Sequence, residues 1–104
     1  MSPTGTSFEK VELEFTDFEW NESKRKTNID KHGFDFVDVV SVFDHPIARK
    51  QSDRGDEKRF LAIGVVHDQE IAIAYQERGS ACRIISARKA KRSERGAYQA
   101  LLAR

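Results

Sequence analysis

The spacing of apolar residues along the chain predicts a domain that combines helices with strands. Every second residue from Val11 to Phe15 is apolar and the residues between them are glutamates, which is the pattern of a strand with one buried face. After a break near Thr16, Phe18 and Trp20 continue this strand in our interpretation. The preceding stretch is rich in Pro, Gly, Ser and Thr and is expected to be disordered.

Two helices are predicted after this strand. Asn21 is a favourable N-cap and Gly33 a favourable helix stop, so the polar stretch between them is predicted to be a helix with a thin apolar stripe. A second helix follows Asp35, because the apolar residues of 36–43 recur at helical spacing. Pro46 ends it, since proline cannot continue a helix. The valines of this segment favour a strand, but the periodicity outweighs that preference.

The second half of the chain alternates in the manner of a sheet and then ends in a helix. Residues 47–53 are a predicted edge strand, and residues 58–66, which are apolar on both faces, a central strand. Residues 70–77 place large side chains on one face and alanines on the other, and the large face is expected to take the helices. A strand at 82–88 precedes a helix predicted from Lys91 to Ala103.

Short turns, one of them at Asp68-Gln69, join these strands, so neighbouring strands should pair antiparallel. The predicted class is therefore α+β: a small antiparallel sheet with helices packed on it, in the order β-α-α-β-β-β-α. A chain of 104 residues is the size of one domain and can bury a modest core without disulfides. The single cysteine, Cys82, is interpreted as a small core side chain.

The net charge of +1 hides an asymmetry between the two ends of the chain. Residues 83–104 contain seven Lys or Arg and one Glu, whereas residues 1–82 contain 11 basic and 16 acidic residues. This asymmetry suggests a polyanion partner or an acidic arm that masks a basic face. The alternative is that charge at both ends only keeps the protein dissolved.

Other classes of function lack a sequence signal. The chain has no P-loop, no Rossmann glycine pattern and no Cys/His cluster at zinc spacing, so no metal or cofactor is expected. No apolar run is long enough for a membrane span, and no signal-peptide pattern begins the chain. A cytoplasmic protein without membrane contact is the expectation.

His32 and several arginines are the candidate chemical groups. His32 follows Lys31 at a predicted helix end, where the helix dipole favours a cation, and is suited to moving a proton of an RNA 2′-hydroxyl. Equally, it could pack on Ile29 and cap the helix. Arg59 and Arg88 belong to a set at strand ends, together with Arg78, and guanidinium groups bind phosphate bidentately. Glu57, beside Arg59, is either a base or a partner of that arginine.

Four stretches occur in order along the chain: "FEWNESKRKTNIDKHGFDF", "VFDHP", "GDEKRFLAIG" and "RIISARKAKRSERGAY". From about Phe18 to Tyr98 they resemble the BrnT family of type II toxins. The resemblance implies a fold similar to RelE-type ribonucleases, cleavage of RNA and arrest of growth. It also implies a BrnA-like antitoxin with a ribbon-helix-helix domain, and contact with operator DNA only through the toxin–antitoxin complex. The chain then divides into an acidic N-terminal extension, 1–17, and a BrnT-like toxin domain, 18–104.

Matched to the family's motifs, the candidate catalytic residues are His32, Glu57, Arg59 and Arg88. The candidate RNA-binding residues are Lys31, Arg78, Lys89, Lys91 and Arg92. In this hypothesis Arg59 and Arg88 bind the scissile phosphate while His32 or Glu57 moves protons, as in a metal-independent endoribonuclease. The competing hypothesis is a RelE-like binding module that has lost catalysis and acts through a partner protein or a nucleic acid.

Overall fold

A single six-stranded sheet forms the centre of the molecule in the computed structural model, which describes residues 7–102. Its strands are β1 (Glu9–Val11), β2 (Asp17–Glu19), β3 (Ile47–Gln51), β4 (Phe60–Val66), β5 (Gln69–Arg78) and β6 (Ala81–Lys89). The helices are α1 (Glu22–His32), α2 (Phe36–Val39), a 3₁₀ helix (Val40–Asp44) that continues α2, and α3 (Arg92–Leu101). The strand order across the sheet is β1-β3-β4-β5-β6-β2.

The predicted α+β class is confirmed. Strands β3 to β6 pair antiparallel in sequence order, and β4 has a central position. The predicted element order has too few strands: two strands, not one, precede α1, and four strands follow the 3₁₀ helix, in the four segments where strands were predicted one by one. The turn between β4 and β5 lies at His67-Asp68, not Asp68-Gln69, and both of its residues have positive φ, which matches the twist of a tight hairpin.

The N-terminal segment does not form one strand. Strand β1 pairs antiparallel with β3 at one edge of the sheet, and β2 pairs parallel with β6 at the other edge. Phe15, between the two strands, contacts the rings of Phe18, Phe43 and Tyr75 edge-on. Burial of these aromatic rings therefore stabilises the path of the chain across the core, from β1 at one edge of the sheet to β2 at the other. Strand β3 is consequently not the edge strand that the sequence predicted, because β1 covers it. Residues 1–6, most of the stretch predicted to be disordered, lie outside the described residues.

Helices pack on both faces of the sheet, and not only on the large face as predicted. The main core lies on the face of Ile71, Ile73 and Tyr75, where α2 and the 3₁₀ helix cover it. A smaller cluster around Ala72 packs against Tyr98 of α3 on the opposite face. The alanines of β5 leave room for that helix to approach the sheet closely. The predicted role of Cys82 is confirmed, since its side chain is fully buried in the main core.

Helix α1 lies against the edge of β6 beyond β2, and a single side chain fixes it there. The side-chain amide of Asn28 accepts a hydrogen bond from the backbone N–H of Ala87 at 3.0 Å and donates one to the backbone carbonyl of Ala87 at 2.9 Å. It thereby supplies the pairing that a further strand would give to this edge. The predicted ends of α1 are confirmed, because the Asn21 side chain accepts from the Lys24 amide and Gly33 adopts the left-handed conformation.

Candidate functional site

A groove with an excess of positive charge opens on the same face of the sheet as α3, beside the part that this helix covers. We call it the cationic groove. Its volume is about 230 Å³ and its lining residues are Asn21, Lys24, Glu57, Arg59, Gln76, Arg78, Arg83, Ile84 and Ile85. Four cationic side chains thus face a single carboxylate. Such a concentration of guanidinium groups suits an anion with several oxygen acceptors, such as a phosphodiester.

An irregularity in the sheet decides which arginines share the groove face. The pairing register between β5 and β6 shifts at Ala74/Tyr75, so that β6 contains one residue more than β5 over this stretch. Arg83 pairs with Gln76, and Arg88 pairs with Ala72. Both arginines therefore point to the same face, although they are five positions apart in the sequence. Strict alternation along β6 would have placed them on opposite faces.

Carboxylates hold the arginines of the cationic groove. Arg59 donates to Glu57 Oε1 from Nε at 2.7 Å, and its Nη2 also contacts that oxygen. Glu19 of β2 lies at the groove's end, with its Oε1 3.1 Å from Arg83 Nη1 and 3.9 Å from Arg78 Nη1. Acids of the protein itself thus arrange these arginines.

A second cleft, the His32 cleft, adjoins the cationic groove. It has a volume of about 250 Å³ and is lined by Lys24, Thr27, Asn28, Lys31, His32, Ile85 and Ser86. The two clefts share Lys24 and Ile85. Residues 24, 28 and 31 of α1 recur at helical spacing, so one face of this helix borders both clefts. The imidazole of His32 is exposed.

Arg88 has a different environment from the other candidate arginines. Its Nη1 and Nη2 donate to the two oxygens of Glu94 at 2.9 and 3.0 Å, in a bidentate pair. Glu94 is 7% exposed and also accepts the Lys91 amide at 2.7 Å. Burial raises the pKa of Glu94, but the hydrogen bonds from Arg88 and the Lys91 amide outweigh it, so that the net pKa lies below its usual range. Arg88 therefore joins the end of β6 to the start of α3.

The remaining cationic candidates lie outside both clefts. Lys89 is an exposed residue at the end of β6, and Arg92 is exposed in the first turn of α3. Lys91 lines a third cleft, of about 570 Å³, between α3 and the N-terminal segment. The structure thus groups Glu57, Arg59 and Arg78 in one groove, with Lys31 and His32 beside it in the next. It does not bring Arg88, Lys89, Lys91 or Arg92 into either cleft.

Two cationic residues of the groove were absent from the predicted site. Arg83 opens "RIISAR", but its pairing with Gln76 and its proximity to Arg78 follow from the β5–β6 hairpin alone. Lys24 is one of several basic residues in a polar helix, and only the docking of α1 on β6 selects it. The nearest sequence signal was the alternation in β6, which places the side chains of Arg83 and the buried Cys82 on opposite faces of the sheet.

Among residues 7–102, no three His, Cys, Asp or Glu side chains are grouped so that they could hold a metal ion. Burial raises the pKa of the Cys82 thiol to about 12, so this cysteine is a poor nucleophile at neutral pH. Within the same residues, none of the helices has the length and apolar character required to cross a membrane.

The fold and the groove together define a class: a small α+β domain with an arginine-rich groove on an open sheet face, suited to a polyanion. The comparison with protein families makes this specific. The model described as "Ribonuclease toxin, BrnT, of type II toxin-antitoxin system" matches residues 20–94. Because the match covers more than half of the chain, the protein belongs to this family, and the predicted resemblance is confirmed. A search of curated proteins found no match.

Proposed function

We propose that this chain is an endoribonuclease toxin that cleaves RNA in the cationic groove and the His32 cleft, without a metal ion. The observation that carries the proposal is the convergence of Arg59, Arg78, Arg83 and Lys24 on one groove next to His32. Membership of a ribonuclease toxin family supports it. Among residues 7–102, none of the exposed large hydrophobic side chains is aromatic, so there is little for base stacking and binding should depend mainly on the phosphate backbone.

The proposed reaction is attack of an RNA 2′-hydroxyl on the adjacent phosphate. A base removes the 2′-hydroxyl proton, the bond from phosphorus to the 5′-oxygen breaks, and an acid protonates that oxygen. The products are a 2′,3′-cyclic phosphate and a 5′-hydroxyl. Arg59 and Arg83 would stabilise the charge that develops on the phosphate oxygens, since guanidinium groups remain charged at any working pH. His32 is the candidate for proton transfer.

Glu57 and Arg88 have narrower roles in this proposal. Glu57 already accepts Arg59, so an RNA phosphate must displace it before it could accept a proton. Arg88 is held by Glu94 and would act from the edge of the site, or only through the stability of the β6–α3 corner. Lys31 and Lys24 would bind neighbouring phosphates along α1.

The partners follow from the family. A type II toxin is paired with a protein antitoxin, and we propose a BrnA-like ribbon-helix-helix protein whose complex with this chain would bind operator DNA. We propose that this activity takes place in the cytoplasm. The groove's positive charge gives an acidic segment of such an antitoxin a surface on which it would compete with RNA.

The test is cleavage of end-labelled RNA by the purified chain, with and without ribosomes. Arg59→Ala and His32→Ala should each reduce the rate by about tenfold or more, because each removes an interaction with the reacting groups. Arg54→Ala is the matched control, since Arg54 is an exposed arginine of the same loop that lines neither cleft. Cleavage only with ribosomes would identify a ribosome-dependent toxin.

The competing function, a binding module without catalysis, makes a different prediction in the same assay. RNA would then stay intact in all arms, with or without ribosomes, while binding to RNA or to the antitoxin persists. Full activity in the His32→Ala variant would remove this residue from the mechanism and leave the arginines as the catalytic groups. Full activity in the Arg59→Ala variant would exclude the cationic groove as the site of cleavage.

A further inference from the structure

Glu19 makes a contact with the cationic groove that the proposed reaction does not explain. We propose that Glu19 is a positioning residue, which fixes Arg83 and Arg78 as one phosphate-binding unit. This inference rests on the proposed function, because it assigns RNA phosphate as the ligand of these arginines. Glu19 lies outside the residues that match the family model, 20–94, so the family match does not include it.

The backbone places Glu19 beside Arg83. Strand β2 pairs parallel with β6, and in that register Glu19 is the partner of Arg83. Its Oε1 accepts a hydrogen bond from Arg83 Nη1 at 3.1 Å and lies 3.9 Å from Arg78 Nη1. One carboxylate oxygen therefore bridges two guanidinium groups from neighbouring strands. The side chains are partly exposed, so both arginines remain accessible to a ligand.

The Glu19 carboxylate counteracts the repulsion between the cations of the groove. Arg59, Arg78 and Arg83 share one groove of about 230 Å³, where like charges would push flexible side chains apart into solvent. Glu19 is not among the residues that line the groove. It therefore contacts Arg78 and Arg83 from outside the groove lining, while both arginines line the groove. An arginine held in place loses less conformational freedom when it binds phosphate.

Two effects of Glu19 on RNA binding have opposite signs, which makes the inference testable. Its negative charge repels phosphate, so removing it should tighten binding if charge alone matters. Its hydrogen bond orders Arg83, so removing it should weaken binding if positioning matters. The weakening that we expect is about threefold to tenfold, the range for restoring the freedom of one or two long side chains.

The experiment measures the dissociation constant of the full chain for a 2′-O-methyl RNA oligonucleotide, which cannot be cleaved by 2′-hydroxyl attack. Glu19→Gln and Glu19→Asp are compared with the unaltered chain. The shorter aspartate keeps the charge but draws the carboxylate back from Arg83. Asp17→Asn is the control, because it removes the same charge from the same strand and Asp17 has no ion pair among residues 7–102.

Weaker binding in both Glu19 variants, no change in Asp17→Asn, and no further loss when Glu19→Gln is added to Arg83→Ala would support the inference. Unchanged or tighter binding in Glu19→Gln would overturn it, as would equal weakening in Asp17→Asn. If the unaltered chain binds this oligonucleotide but leaves unmodified RNA intact with and without ribosomes, the proposed catalysis fails while the Glu19 comparison still decides. Absence of binding by the unaltered chain would overturn the Glu19 inference, while the cleavage assay with and without ribosomes still decides the proposed function.

Discussion

Replacement of Asn28 by alanine should destabilise the protein strongly, although the residue lies on a largely polar helix. The side chain makes three hydrogen bonds to backbone groups: it donates to the carbonyls of Phe34 and Ala87 at 2.8 and 2.9 Å and accepts the Ala87 amide at 3.0 Å. Asn28 is 5% exposed. In Asn28→Ala these backbone groups lose their partners.

The magnitude follows from the number of orphaned groups and their access to water. A buried polar group without a partner costs about 1–3 kcal/mol. Asn28 also lines the His32 cleft, so the shortened side chain opens a path for water to the orphaned groups. The lower end of the range applies, and three groups at about 1 kcal/mol each give a loss of about 3 kcal/mol in the free energy of unfolding. For a domain of this size that corresponds to a melting temperature lower by roughly 12–24 °C.

Urea unfolding of the purified chain, followed by circular dichroism, measures this loss directly. Thr27→Ala is the matched control, because Thr27 lines the same cleft but donates only to the Ser23 carbonyl within the helix. It should change the free energy of unfolding by less than about 0.5 kcal/mol. A loss below about 1 kcal/mol in Asn28→Ala would refute the conclusion that this amide fixes α1 to β6.

Two further substitutions test other parts of the structure. Glu94→Gln should reduce the free energy of unfolding by about 1–2 kcal/mol at neutral pH, because it weakens the pair with Arg88. The folded-state pKa of Glu94 lies below its usual value of 4.5, so the carboxylate stabilises the fold above that pH. As the pH falls through the folded-state pKa of Glu94, the unaltered chain and Glu94→Gln should approach the same free energy of unfolding. A difference in that free energy that stays constant down to strongly acidic pH, measured by urea unfolding, would contradict this. Gly64→Ala should lower the free energy of unfolding by about 1–3 kcal/mol, since the added Cβ would overlap the stiff Val42 side chain. An unchanged thermal melting curve would show that β4 and the 3₁₀ helix can move apart freely.

Local sequence signals determined much of the fold. Asn21, Gly33 and Asp35 mark helix ends because capping needs only a side chain or a flexible backbone at one position. The alternation in residues 70–77 predicted which face is large, because successive side chains of a strand point to opposite faces. The family resemblance was likewise carried by short stretches in order, and the match to residues 20–94 confirms it.

The candidate site could be predicted only in its residue types. The sequence indicated that arginines at strand ends would face a phosphate, and Arg59 and Arg78 do line one groove. It also suggested Arg88, but no sequence pattern linked Arg88 to the buried Glu94 that holds it. An acid inside an apolar helix face predicts a partner without naming it. The partner depends on which strand end lies above that helix.

Long-range pairing decided the rest, and for a physical reason. The alternation of residues 8–20 describes which side chains are buried, and it is satisfied equally by one strand or by two strands at opposite edges. The sheet edges that remain open after β3 to β6 have paired select the second arrangement, because unpaired backbone groups at each edge take up a strand. That choice brings Glu19 to Arg83. The sequence alone determined the helix ends, the two faces of β5 and the family, because these depend on local patterns. Only the tertiary structure brought the cations of the groove together, because they come from elements far apart in the sequence.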